Sequence, residues 1–112
     1  MEDFKGKTVI VTEAAMGLGL SASRELASRG ANVVLVDYNQ DGLNKAKDEI
    51  AKEFTSARLL TVVADVSNQD AVRNYVDKAV AEFGSIEGLY NNAGIEGRQA
   101  GITEYDVSVF KK

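Results

Sequence analysis

Gly17 and Gly19 stand where an apolar, β-branched run, Thr8-Val9-Ile10-Val11, gives way to an amphipathic segment, Leu18 to Arg29. A strand that turns tightly into a helix through glycines leaves unpaired backbone N–H groups at the helix N-terminus. Those donors and the positive end of the helix dipole form a seat for a phosphate. Without a Cβ, the two glycines also let the main chain approach a pyrophosphate closely. Asp37 lies 18 residues past Gly19. That is close to the ~20 at which a carboxylate bonds a ribose diol next to such a turn.

The elements that must position these residues follow in order. Met1 to Gly6 is a polar lead-in, and Lys7 to Thr12 reads as a strand buried on both faces, because its apolar residues run consecutively. The first helix carries Leu18, Ala22, Leu26 and Ala27 on one face, with Gly30 just past its end. Asn32 to Asp37 is a second buried strand ending in a carboxylate. Asp41 to Phe54 has helical spacing at Leu43, Ala46, Ile50, Ala51 and Phe54. Arg58 to Ala64 makes a third strand, followed by Asp65. Ser67 and Asp70 form a capping-box pair for a helix striped by Val72, Val76, Ala79, Val80 and Phe83 and stopped by Gly84. Ile86 to Asn91 is a fourth strand running into Asn91-Asn92-Ala93-Gly94. A loop, Ile95 to Gly101, follows, and Asp106 caps a short last helix, Val107 to Lys112. Alternation of strand and helix at roughly 25–30 residues per unit predicts right-handed crossovers and a parallel sheet. The expected architecture is a doubly wound α/β half fold, four strands in the order 3-2-1-4 with three to four helices.

Composition narrows the function. One domain, residues 1–112, holds 45% apolar and 27% charged residues, ordinary for a globular protein. No apolar run approaches the ~20 residues needed to cross a bilayer, and no signal-peptide pattern opens the chain, so the expected location is cytoplasmic. The absence of Cys excludes disulfides and thiolate chemistry, and the absence of His removes the commonest metal ligand and general base. A net charge of -4 without a basic cluster argues against nucleic acid as a partner.

In a parallel sheet the C-terminal strand ends share one edge. Thr12–Gly19, Asp37, Asp65-Val66 and Asn91–Gly94 are therefore expected together along it, with a ligand between strands one and four. A carboxylate at Asp37 accepts both hydroxyls of an adenine ribose and repels a 2′-phosphate, which favours NAD over NADP. Each feature also has a purely structural reading. The glycines serve tight helix–sheet packing, Asp37 is a solvated loop acid, Asp65 starts a helix, and Asn91-Asn92 form a turn.

The motifs Thr12-x-x-x-x-Gly17-x-Gly19, Asp65-Val66 and Asn91-Asn92-Ala93-Gly94 match, in order and spacing, the T-G-x-x-x-G-x-G, D-V and N-N-A-G motifs of the short-chain dehydrogenase/reductase family. The chain resembles the N-terminal, Rossmann-like cofactor-binding part of that family over essentially all 112 residues. The resemblance implies an NAD-dependent oxidoreductase interconverting a secondary alcohol and a ketone. It implies that Met16, Gly17, Leu18 and Gly19 cover the pyrophosphate, Asp37 holds the adenine ribose, and Asp65 and Val66 contact the adenine. By the same resemblance Asn92, Ala93 and Gly94 line the cofactor's ribose region, while Thr12 and Asn91 tie strand one to strand four. The run Asn91–Gln99 is also similar to members that reduce cyclic ketones or diketones.

Two departures stand out. Position 13 is glycine in the family's motif and Glu13 here. A side chain there crowds the adenosine side, and its charge beside two phosphates costs on the order of 1–3 kcal/mol, unless it bends outward or accepts a ribose hydroxyl. The family's proton-transfer set, a Ser, a Tyr-x-x-x-Lys pair and an Asn, follows the N-N-A-G motif. Tyr38, Tyr75, Tyr90 and Tyr105 are each followed four residues on by Gly42, Ala79, Gly94 and Val109, never by Lys. These residues are expected to bind a nicotinamide dinucleotide without turnover. A non-catalytic nucleotide-binding module or a self-associating one are the other readings. Strand 86–90 is expected to be an open apolar edge, making a homo-oligomer through it or through helix 70–83 the expected assembly.

Overall fold

The computed structural model describes residues 4–65 and 68–90 together with the backbone of 102–103. Strands β1 (Thr8–Thr12), β2 (Asn32–Asp37), β3 (Arg58–Val63) and β4 (Gly88–Tyr90) alternate with helices α1 (Gly17–Ser28), α2 (Gln40–Glu53) and α3 (Gln69–Phe83). The sheet order is β3-β2-β1-β4, all parallel, as the alternation predicts. A short fifth strand, β5 (Ile102–Thr103), adds antiparallel to β4.

β1 and β2 are buried along their whole length because helices cover both faces. Val9, Val11, Val33 and Leu35 pack under α1 and α2, with Leu26, Leu43 and Ile50 fully enclosed. Ile10, Val34 and Val36 point the other way, onto Tyr75, Val76 and Ala79 of α3. That two-layer covering explains why consecutive, rather than alternating, apolar residues mark these strands.

Three expectations need correction. The buried face of α1 is Gly19, Ser23, Leu26 and Ala27, not one containing Leu18 and Ala22. Small residues let the helix settle onto the turn below it, and Leu18 is left 62% exposed. Leu18 and Ala22 instead line an open groove of about 620 Å³ bounded by Phe4 and Tyr90. The N-cap of α3 is Asn68, whose side chain accepts from the amides of Asp70 (2.7 Å) and Ala71 (3.3 Å). The cap thus falls one residue after the expected Ser67, which lies outside the described residues. Third, β4 does not present an open apolar edge. Leu89 and Tyr90 pair with Thr103 and Ile102, and the side chains of Ile86 and Leu89 are buried in the α3 layer. The strand is also shorter than Ile86–Asn91. Ahead of it Glu87 is clamped to β1, its amide donating to the Thr8 carbonyl (2.8 Å) and its carboxylate accepting from the Thr8 amide (2.6 Å). Asn91, the loop 95–101, Asp106 and the last helix at 107–112 fall outside the described residues.

Candidate dinucleotide site

Parallel pairing puts the C-terminal ends of β1 to β4 on one edge of the sheet. Thr12, 1% exposed, closes β1, and its hydroxyl donates to the Tyr90 carbonyl at 3.5 Å, tying strand one to strand four. The turn from Glu13 to Met16 is stitched to the end of β2. The Ala14 amide donates to the Val36 carbonyl (3.1 Å) and the Ala15 amide to the Asp37 carboxylate (3.1 Å). Asp37 therefore faces the glycine turn. Its other oxygen accepts from the Asn39 amide at 3.1 Å. An ionised carboxylate has about four lone-pair sites, so two backbone donors leave acceptor capacity for a vicinal diol.

Gly17 and Gly19 are glycines for different reasons. A Cβ on Gly19 would lie 2.0 Å from the carbonyl oxygen of Glu13, so this position is fixed by contact between α1 and the turn. A Cβ on Gly17 would meet nothing within 4 Å, but its φ of +62 is in the left-handed region that glycine enters without strain. The helix starts from Met16, which gives no side-chain cap, and the first turn of α1 carries no acid. Leu20 donates to the Met16 carbonyl (3.3 Å), and the amides that open the helix ahead of it have no side-chain cap. Their donors and the helix dipole suit an anion, and the residues present thus fit a pyrophosphate next to a ribose.

Asp65 follows β3 on the same edge and is exposed; the neighbouring Ala64 amide donates to the Asp37 carbonyl (2.9 Å). Val66, Asn92, Ala93 and Gly94 lie outside the described residues. No group of three metal-ligating side chains occurs among the described residues. No helix among them is long and apolar enough to cross a membrane.

Two residues of this edge were missed from sequence. The large apolar side chains most exposed among the described residues are Met16 (68%), Leu18 (62%), Tyr38 (79%) and Val63 (47%). All four sit at or just beyond the strand ends or at the start of α1, so the exposed large apolar side chains gather on this edge of the sheet. Tyr38 directly follows Asp37, and an aromatic after a strand-ending carboxylate was the available signal. Val63 carries no such signal, because an apolar β-branched residue within the run Arg58–Ala64 reads as core.

The sequence pattern of the short chain dehydrogenases matches residues 7–112. Levodione reductase of Leifsonia aquatica is 38% identical over 109 residues, covering 97% of this chain and 41% of the reductase. Cis-4-hydroxycyclohexanecarboxylate dehydrogenase of Sinomonas cyclohexanicum is 38% identical over 113 residues, covering 99% of this chain and 43% of the dehydrogenase. The crystal structure of levodione reductase superposes with a TM-score of 0.79 at 41% identity, over 86% of this chain and 37% of that one. Similar solved structures include short-chain oxidoreductases in complex with NAD and with NADP. The chain spans about two fifths of the length of the relatives it matches. With strand order, glycine turn and sequence pattern in agreement, the chain belongs to the short-chain dehydrogenase family and corresponds to the N-terminal, dinucleotide-binding portion of its members.

Proposed function

We propose that these residues form the adenosine- and pyrophosphate-binding part of an NAD-dependent oxidoreductase acting on a secondary alcohol or ketone in the cytoplasm. The observation that carries the reading is the Asp37 carboxylate, held against the glycine turn by the Ala15 amide at 3.1 Å with α1 starting uncapped beside it. Met16 to Gly19 receive the pyrophosphate and Asp37 the adenine ribose. Asp65 and Val66 meet the adenine, with Tyr38 and Val63 as its apolar flanks, while Asn92, Ala93 and Gly94 face the second ribose and Thr12 braces the turn. A 2′-phosphate brought about 4 Å from Asp37 costs roughly 4 kcal/mol per charge at an effective dielectric of about 20. NAD is therefore preferred over NADP. The Tyr-x-x-x-Lys pair that would hold and move the reacting proton is not encoded within residues 1–112. The chain on its own binds cofactor without turning over alcohol or ketone.

Calorimetric titration tests this. NAD should bind, with NADP at least ~100-fold weaker, and Tyr38→Ala should weaken NAD without moving the melting temperature. Absence of binding by either cofactor refutes the proposal, and equal affinity for both refutes the role of Asp37.

A further inference from the structure

Glu13 has a φ of 52 and is the one non-glycine with positive φ among the described residues. It cannot leave that conformation cheaply. Its carbonyl oxygen is where a Cβ on Gly19 would clash at 2.0 Å, so α1 presses on it from one side. On the other side the next amide, Ala14, is bound to Val36 at 3.1 Å inside the core. A residue over-determined in this way keeps a strained backbone that would otherwise relax. The side chain is exposed, and no hydrogen bond or ion pair involves it among the described residues. The turn contains no Lys or Arg, and a second acid, Asp37, is bound by the Ala15 amide two residues further along it.

We propose that Glu13 is a specificity-determining residue, an unneutralised carboxylate fixed at the apex of the turn that ranks nucleotides by their phosphate charge. The inference rests on the dinucleotide reading above. For two phosphate charges placed about 8 Å from it in a water-like dielectric, a carboxylate lowers affinity roughly fivefold when no salt screens it. At about 0.15 M salt, where the Debye length is ~8 Å, the factor falls to about two. A 2′-phosphate adds further charge next to the same turn, so NADP is penalised more than NAD. Glu13 thus gives up some affinity for NAD and gains discrimination, acting alongside Asp37.

The test separates charge from backbone with Glu13→Gln and Glu13→Gly. Both remove the carboxylate, and only the second relieves the positive φ. Titrations at about 0.02 M and about 0.5 M salt, with NAD and NADP, should give a roughly threefold gain for NAD at low salt in both variants. NADP should gain by a larger factor, and both gains should vanish at high salt. Without cofactor, Glu13→Gly should raise the melting temperature by about 2–4 °C, with Glu13→Gln unchanged. Cofactor binding at wild-type affinity and an unaltered NAD to NADP ratio in both variants at low salt would overturn the role of Glu13 and leave the dinucleotide reading intact. If wild type and both variants bind neither cofactor, that reading falls and takes this one with it.

Discussion

Gly19→Ala drives a methyl group into the turn ahead of α1. The new Cβ would lie 2.0 Å from the Glu13 carbonyl oxygen, 2.7 Å from the Glu13 carbonyl carbon and 3.0 Å from the Thr12 carbonyl oxygen. All three are backbone atoms. Thr12 is part of β1 and 1% exposed, and Ala14 is bonded to Val36, so the turn has little room to retreat. Reaching ordinary contact requires an opening of more than about 1 Å, which places the cost at the upper end of overpacking, about 3 kcal/mol. Alanine recovers up to about 1 kcal/mol of helix propensity, leaving a net loss of about 2 kcal/mol. An unfolding entropy of roughly 2.1 cal/mol/K per residue over 112 residues converts this to a fall of about 8 °C in Tm. Gly17→Ala is the control. It meets no atom within 4 Å and suffers only its φ of +62. The expected net loss is about 1 kcal/mol, or about 4 °C. Thermal unfolding of the ligand-free protein followed by far-UV circular dichroism reads both. A Gly19→Ala variant as stable as wild type, or one less perturbed than Gly17→Ala, would refute the packing role given to Gly19.

Other variants probe the frame around the site. Asn68→Ala removes the acceptor for the Asp70 and Ala71 amides and should cost about 1 kcal/mol, seen as a Tm about 4 °C lower. Asp37→Ala leaves the Ala15 and Asn39 amides without their acceptor. It should lower stability in urea unfolding by about 2 kcal/mol, with Asp37→Asn intermediate because one oxygen remains. An Asp37→Ala variant with wild-type stability would show that those amides find water instead.

The strand order was legible in the sequence because it depends on local signals. Val9–Val11 and Val33–Val36 are unbroken apolar runs, the mark of strands covered on both faces, and the alternation with helices leaves one handedness of crossover. Asp37 was recognisable by its distance from Gly19. The buried face of α1 was misread because periodicity weighs residues by hydrophobicity. In the fold, Gly19 and Ser23 face the sheet by being small, while the larger Leu18 is pushed out over the groove. Val63 was not singled out because a β-branched apolar residue inside the run Arg58–Ala64 reads as core, whereas in the fold it is 47% exposed.

The sequence by itself determined four strands and three helices, their parallel order and the placement of Thr12, Asp37 and Asp65 at the strand ends. Hydrophobic period, turn glycines and chain connectivity are properties of neighbouring residues. Only the tertiary structure decided that Gly19 yields to the Glu13 carbonyl while Gly17 faces open space, and that β5 covers the edge of β4. It also decided that Glu13 is locked in a left-handed turn between α1 and the end of β2. Each of these depends on how the turn, α1 and the strands settle against one another in space. No local pattern of residue types encodes them.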